Sequence, residues 1–299
     1  MPRRCYRSDL SDAEYASLLA HLPSPGRGRP WKHALRDLLD GIFYVVRTGC
    51  QWRALPHEYP PWQTVYWWFR RFRLDGTWDQ LNAALRQHVR SLVGRHPQPS
   101  AGIVDSQSVK TSGVGGLRGF DGGKKINGRK RHILVDTLGL VLKAVVHSAG
   151  IQDRAAVPLL LEGVADQFPR LEHVWLDQGY TGSGREWIEQ QLGWSVDIVQ
   201  HPRTWERGFR GIMDPITGFR LEYITIKGKK GFQGVLPRRW VVERTFSWLL
   251  HSRRLVRDYE RLTATDEALI YATRSHLMLR RLAGGMPEPR LKHSFAELR

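Results

Sequence analysis

The sequence predicts a mixed α/β domain preceded by an all-helical region, and three observations carry that prediction. Apolar residues recur at helical spacing through the first hundred residues and again beyond residue 238. Between these stretches lie short β-branched runs at 101–106, 131–137 and 140–147, followed by alternating helix and strand patterns. The segment His96-Pro97-Gln98-Pro99-Ser100 marks the change from one regime to the other.

Each element has its own local reason. Ser11 stands before Asp12-Ala13-Glu14 as a capping box that starts the first helix. Leu35, Leu38, Leu39, Ile42, Phe43 and Val46 define an amphipathic helix over 34–47, stopped by Gly49. A proline-rich link from Gln51 to Pro61 leads to a helix over 62–74, carried by Val65, Trp68, Phe69 and Phe72. Thr77 is placed to cap a further helix that turns Leu81, Leu85, Val89 and Leu92 inward. In the α/β part, Asp136-Thr137-Leu138-Gly139 reads as the turn of a hairpin joining the second and third strands. Asp153 is placed to cap a helix to about Phe168, with Pro158 near its first turn. A strand ending at Asp177, a helix over 184–192 and a strand over 194–199 follow. Residues 201–237 read as an insertion with one hairpin around Phe219–Ile226, and helices over 238–256 and 263–283 close the domain. The expected organisation is therefore a helical N-terminal domain (1–96), a linker (97–100), an α/β domain (101–283) and a C-terminal tail (284–299).

Charge narrows the partners. With 46 Lys+Arg against 29 Asp+Glu, a net charge of +17 and a pI near 10.4, the chain suits phosphates or an anionic membrane surface. The membrane reading has no support, because no apolar stretch approaches the roughly 20 residues of a transmembrane helix. No signal-peptide core follows Met1, so a cytoplasmic, nucleoid-associated protein is expected. Cys5 and Cys50 form no ligand pair and read as inert thiols. The basic residues concentrate in three zones, 27–96, 110–132 and 238–299, as if a nucleic acid ran across several parts of the molecule.

Three acids stand where hydrocarbon belongs. Asp105 lies in the run Ala101-Gly102-Ile103-Val104-Asp105, and Asp177 ends Val174-Trp175-Leu176-Asp177. Helical spacing puts Glu243 in line with Trp240, Phe246 and Leu250, on the expected apolar stripe. A buried carboxylate is costly unless something positive meets it. Two divalent cations about 3.5–4 Å apart would activate the attacking oxygen and stabilise the leaving oxygen of a displacement at phosphorus. Mg²⁺ suits such a carboxylate site, with Mn²⁺ as a substitute. The plain alternatives are a satisfied strand-end acid at 105, a turn opened by Asp177 through Gln178-Gly179-Tyr180, and an Arg239–Glu243 pair. Asp136 belongs to its hairpin turn, and Asp197, opposite Trp194, Val196 and Ile198, to solvent. Lys124, Lys125, Arg129, Lys130 and Arg131 read as a glycine-broken basic loop holding a DNA backbone beside Asp105, with Lys110 and His132 facing the same DNA; the alternative is a solvated charge run.

Four blocks together carry a resemblance. Ile103-Val104-Asp105-Ser106-Gln107-Ser108-Val109-Lys110, the segment Gly128 to Thr137, Leu176-Asp177-Gln178-Gly179-Tyr180, and Arg239 to Leu249 followed by Arg253-Arg254-Leu255 and Tyr259-Glu260 resemble the blocks of bacterial insertion-sequence DDE transposases, of the insertion sequence 5 family. The resemblance covers nearly the whole chain and implies an RNase H-like α/β fold, a mixed sheet flanked by helices. It implies that Asp105, Asp177 and Glu243 are the metal-binding catalytic triad, and that Arg239 matches the Arg of a wider Tyr–Arg–Glu–Lys signature. Leu236 and Leu250 stand where that signature has Tyr and Lys, so Arg253 or Arg254 is expected to replace the Lys, with Arg244 beside them on the DNA. The implied reaction is phosphodiester hydrolysis at each transposon end, then attack of the freed 3′-hydroxyl on target DNA. The N-terminal region resembles the family's accessory domain, a helix-turn-helix-like unit over 34–47 and 62–74 whose Arg70, Arg71 and Arg73 meet phosphates or guanine edges in terminal inverted repeats. Trp62, Trp67 and Trp68 read as core or interface rather than stacking platforms. A homodimer or larger assembly on double-stranded DNA is expected. The rival readings are a domesticated DNA-binding protein with catalysis lost, and a nuclease of the same fold without strand transfer.

Overall fold

The computed structural model describes residues 6–22, 31–199, 210–212, 220–222 and 239–284. Helices α1 (Asp12–Leu19), α2 (Leu35–Thr48), α3 (Trp62–Leu74) and α4 (Thr77–Leu92) come first. The capping box closes as expected: Glu14 N–H donates to Ser11 Oγ at 3.2 Å, and Ser11 N–H donates to the Glu14 carboxylate at 2.7 Å. Gly49, at φ +72°, ends α2 in the left-handed conformation that glycine adopts without penalty. At α4 the cap differs. Thr77 lies inside the first turn, and Asp75 accepts both its N–H (3.1 Å) and its hydroxyl (2.6 Å).

The sheet is built from β1 (Ala101–Lys110), β2 (Gly119–Asp121), β3 (Ile126–Asp136), β4 (Val141–Ser148), and, beyond the crossovers, β5 (His173–Asp177) and β6 (Ser195–Val199). β3 runs antiparallel to β1, β1 parallel to β5, and β5 parallel to β6. β4 and the short β2, which the sequence did not announce, share the other edge of β3. Asp136 makes the predicted hairpin turn, accepting from the N–H groups of Leu138 (2.9 Å) and Leu140 (2.8 Å), and Arg90 of α4 reaches it as a buried counter-charge.

The single helix expected over 153–168 is absent. A 3₁₀ turn at Asp153–Ala156 is followed by α5 (Val157–Leu161) and α6 (Val164–Gln167), separated at Gly163, whose φ of +70° breaks the helical path. Next come α7 (Ser183–Gln191), the antiparallel pair β7 (Arg210–Ile212) and β8 (Arg220–Glu222), then α8 (Arg239–Leu250) and α9 (Thr263–Leu282). α8 stops short of the predicted 256, with Arg253–Leu255 in a separate 3₁₀ turn. The rest of the 201–237 insertion, Leu236, Cys5 and the tail from 285 lie outside the described residues.

Strand alternation sends β1 and β3 side chains into two cores. Ile103, Ile133 and Val135 join one core with residues of α2, α3, α4, α8 and α9; Val104 and Leu134 join a second with residues of α5, α7 and the inward side of β5. The N-terminal helices thus share one apolar core with α8, α9 and the sheet. The outer edge of β4 is satisfied from α9, because Ala144 N–H donates to Tyr271 Oη at 3.0 Å and Val146 N–H to Glu267 at 2.7 Å. An exposed edge, a template for unwanted pairing, is thereby closed.

Candidate active site

Register brings the first two acids together. β1 and β5 pair in parallel through Ile103↔Trp175, and Asp105 and Asp177 each lie two residues further along. Two residues restore the same side of a strand, so both acids share the face of Ile103 and Trp175, which pack in the α8–α9 core. Both are half-buried. Burial, and then the charge of Asp177, push the Asp105 carboxyl up to about 7. The Ser106 N–H, donating to Asp105 Oδ1 at 2.7 Å, and the Arg239 and Lys124 charges oppose that rise. Asp177 Oδ1 accepts the Gly179 N–H at 2.8 Å, so the turn weighed as its plain alternative role does form.

The third acid reaches the pair through an arginine. From the first turn of α8, Arg239 Nη2 lies 3.5 Å from Asp177 Oδ2 and its Nε 3.3 Å from Glu243 Oε1. Glu243 does not lie on the apolar stripe. α8 buries Val241, Val242, Thr245, Phe246 and Leu249, which leaves Glu243 on its exposed side and 49% accessible. The stripe inferred from Trp240, Phe246 and Leu250 was off by about one residue's rotation, because Leu250 is exposed and Trp240 only half-buried. Among the described residues, no three His, Cys, Asp or Glu side chains converge on a single ion position. The donor set nevertheless fits a hard divalent cation. Asp105 and Asp177 crowd two carboxylates whose repulsion a cation would relieve, and Glu243 is held one guanidinium away.

Several expected DNA contacts are interior ion pairs instead. Arg129 and Arg131 are fully buried on β3, not in a loop. Arg129 pairs with Asp258 at 2.8 Å and caps the carbonyls of Leu117, Glu260 and Arg261. Arg131 holds Asp266 with two bonds of 2.7 and 2.8 Å. Lys130 is buried on Asp153 at 2.9 Å, and Arg254 is buried on Glu260. His132 is fully enclosed, its ring nitrogens on His147 (2.9 Å) and the Tyr180 hydroxyl. The arginines and Lys130 thus balance interior acids and are turned away from solvent, and His132 bonds only other interior groups. Arg244 is partly buried, its guanidinium 4.4 Å and 4.5 Å from the rings of Trp240 and Trp248 and bonded to the Leu138 carbonyl. Arg70, Arg71, Lys110, Lys124, Lys125 and Arg253 are exposed, and Arg73 is half-exposed. Of the two candidates for the signature Lys, Arg253 is thus the exposed one. Trp68 is core as expected, Trp62 half-buried, and Trp67 exposed at 48%.

Sequence reasoning missed the support beneath the acids. On the opposite sheet face, Asp153 Oδ1 accepts from Ser106 Oγ at 2.8 Å and from Lys130 Nζ at 2.9 Å. Its other oxygen comes within 3.4 Å of where a Cβ on Gly179 would sit, and Asp177 Oδ1 within 3.0 Å of the same point, so a side chain there would press on the Asp177 carboxylate. The sequence marks Asp153 only as a helix cap, and no spacing rule marks it otherwise.

Comparison with known proteins identifies the family of the chain. A family model described as "Putative transposase of IS4/5 family" matches residues 10–82, and one described as "Transposase DDE domain" matches residues 96–278. The chain is 31% identical over 114 residues to the "Insertion element IS402 uncharacterized 16.2 kDa protein" of Burkholderia cepacia, covering 36% of this chain and 76% of that one. It is 33% identical over 143 residues to the "Putative transposase for insertion sequence element IS402" of the same organism, covering 45% of this chain and 54% of that one, about half its length. No solved structure matches.

Proposed function

Because the chain belongs to the DDE-domain transposases of the IS4/5 type, with an RNase H-like mixed sheet, we propose that it binds the terminal inverted repeats of its element, hydrolyses a phosphodiester at each end and joins the freed 3′-hydroxyl to target DNA. The supporting observation is that Asp105, midway along β1, and Asp177, at the end of the neighbouring parallel strand β5, lie at matching positions, with Arg239 in contact with both Asp177 and Glu243. In this reading Asp105, Asp177 and Glu243 hold two Mg²⁺ ions, for which Mn²⁺ substitutes. When bound, such ions supply the charge that activates the attacking oxygen and stabilises the leaving one.

The protein's own groups do the rest. Arg239 fixes the Asp177 and Glu243 carboxylates in orientation until phosphate oxygens compete for its guanidinium. Lys124 stands beside Asp105 with its Nζ on the Ser106 carbonyl at 3.0 Å, where it neutralises negative charge brought in by DNA. Arg70 and Arg71 of α3, with Lys125 and Arg253 elsewhere in the chain, are exposed and track the phosphate backbone, with the helices of residues 1–96 on the repeat and a second copy of the chain on the other end.

The deciding experiment is cleavage and strand transfer on labelled duplexes carrying the element's own ends, with Mg²⁺ or EDTA, for wild type and Glu243→Gln. Mg²⁺-dependent joined products from wild type, at least ~100-fold fewer from a variant that still shifts the DNA, are expected. Cleavage without joining would make the protein a nuclease. DNA shifts with no cleavage from either protein would make it a DNA-binding relic.

A further inference from the structure

We propose that Asp153, acting through Ser106, is a positioning residue that sets Asp105 and the Asp177 turn against each other; the inference rests on the function proposed above. Asp153 touches three elements at once. It takes the Ser106 hydroxyl of β1 (2.8 Å) and the Lys130 ammonium of β3 (2.9 Å), and it lies against Gly179 in the turn that follows β5. Ser106 directly follows Asp105 and bonds it, its N–H on Asp105 Oδ1 at 2.7 Å. Gly179 N–H in turn holds Asp177 Oδ1 at 2.8 Å. One carboxylate on the far side of the sheet is therefore one residue removed from each of the two strand acids.

The network is closed on its other sides. Lys130 Nζ also donates to the Ile151 carbonyl at 2.9 Å and lies 3.7 Å from Asp121. Tyr180, fully buried at the end of the same turn, bonds His132, which sits directly across from Ser106 in the β1–β3 register. Alternation of the strand makes this a support and not a fourth acid of the pair. Ser106 and His132 face the α5–α7 side, whereas Asp105 faces α8. A site that must hold crowded carboxylates within about 0.5 Å of a working geometry needs such a backing shell.

The test uses the full chain under single-turnover conditions with saturating end DNA, Kd measured by gel shift in EDTA, and thermal unfolding of each variant. Asp153→Asn is expected to slow end cleavage about 100-fold with Kd held within about twofold, the scale of an ångström-level misplacement. Ser106→Ala, which leaves the Lys130–Asp153 pair intact, should slow it about tenfold, the scale of one lost hydrogen bond. Ser106→Thr, which restores a hydroxyl, should recover most of that loss, and the double variant should be no slower than Asp153→Asn alone. Rates within about twofold of wild type for the folded variants, or losses that merely follow the unfolded fraction and the loss of DNA binding, would overturn the proposal. If Asp153→Asn fails to fold, the Ser106 pair decides alone. A wild type that cuts nothing removes the proposed function and this inference with it; an active wild type with indifferent variants removes only the inference.

Discussion

Asp105 concentrates the chemistry of the site in one titration. Burial and the neighbouring Asp177 raise its carboxyl to about 7. The sign follows by linkage: the unfolded chain gives up this proton near pH 4, the folded protein keeps it to about pH 7, and stability from this group falls as pH rises across that window. Asp105→Asn should therefore make the ion-free protein more stable at pH 8, by on the order of 1–3 kcal/mol after allowance for solvent at a half-buried site, while abolishing cleavage. Thermal unfolding in EDTA at pH 5 and pH 8 measures it; parallel pH slopes for wild type and variant would contradict it. Asp105 and Asp177 were visible in the sequence because an acid interrupts or ends an apolar strand run. Asp153 was not, since an acid before a helical pattern has an ordinary explanation as a cap.

Single elements show why basic residues alone are poor guides to DNA. Arg129, Lys130 and Arg131 read as one charged loop, yet they continue β3, which sends the two arginines to one face and the lysine to the other. Their partners Asp258, Asp266 and Asp153 lie far away in sequence or, for Asp153, beyond the next strand, so no local rule pairs them. The Arg131–Asp266 pair joins β3 to α9. Arg131→Met should cost about 3–5 kcal/mol, because it leaves a buried carboxylate uncompensated. Denaturant unfolding tests that value, and the affinity of the remaining folded protein for DNA should stay within about twofold of wild type. A larger loss of affinity without loss of stability would return Arg131 to the DNA surface. Glu243 gives the converse lesson: helical spacing found the right helix, but which residues it buries was set by the α9 and sheet surfaces beneath it.

Across the whole molecule the net charge of +17 divides into interior and exterior shares. The exterior share includes Arg70 and Arg71 on α3, beside exposed Trp67 and Leu74, with Lys110, Lys124, Lys125 and Arg253 on other elements. Binding by such cations releases counterions from DNA, so affinity must fall steeply with salt. Replacing Arg70 and Arg71 together by Ala should reduce the slope of log Kd against log salt by about 2 and weaken binding to all sequences alike. Gel-shift titrations over a range of NaCl concentrations give the slope. An unchanged slope would remove α3 from the DNA path.

The sequence by itself determined the order of the longer helices and strands, the hairpin turn at Asp136, the two strand acids and the family blocks around them. Those features are written in local periodicity, turn chemistry and short motifs, which need no distant partner to be read. Only the tertiary structure decided that the N-terminal helices share a core with α8 and α9, that Arg239 links Asp177 to Glu243, and that Arg129, Lys130, Arg131 and Arg254 serve interior charge balance. The physical reason is common to all three. Burial and ion pairing are properties of surfaces that meet after the chain has folded, and residues far apart in sequence carry no local mark of that meeting.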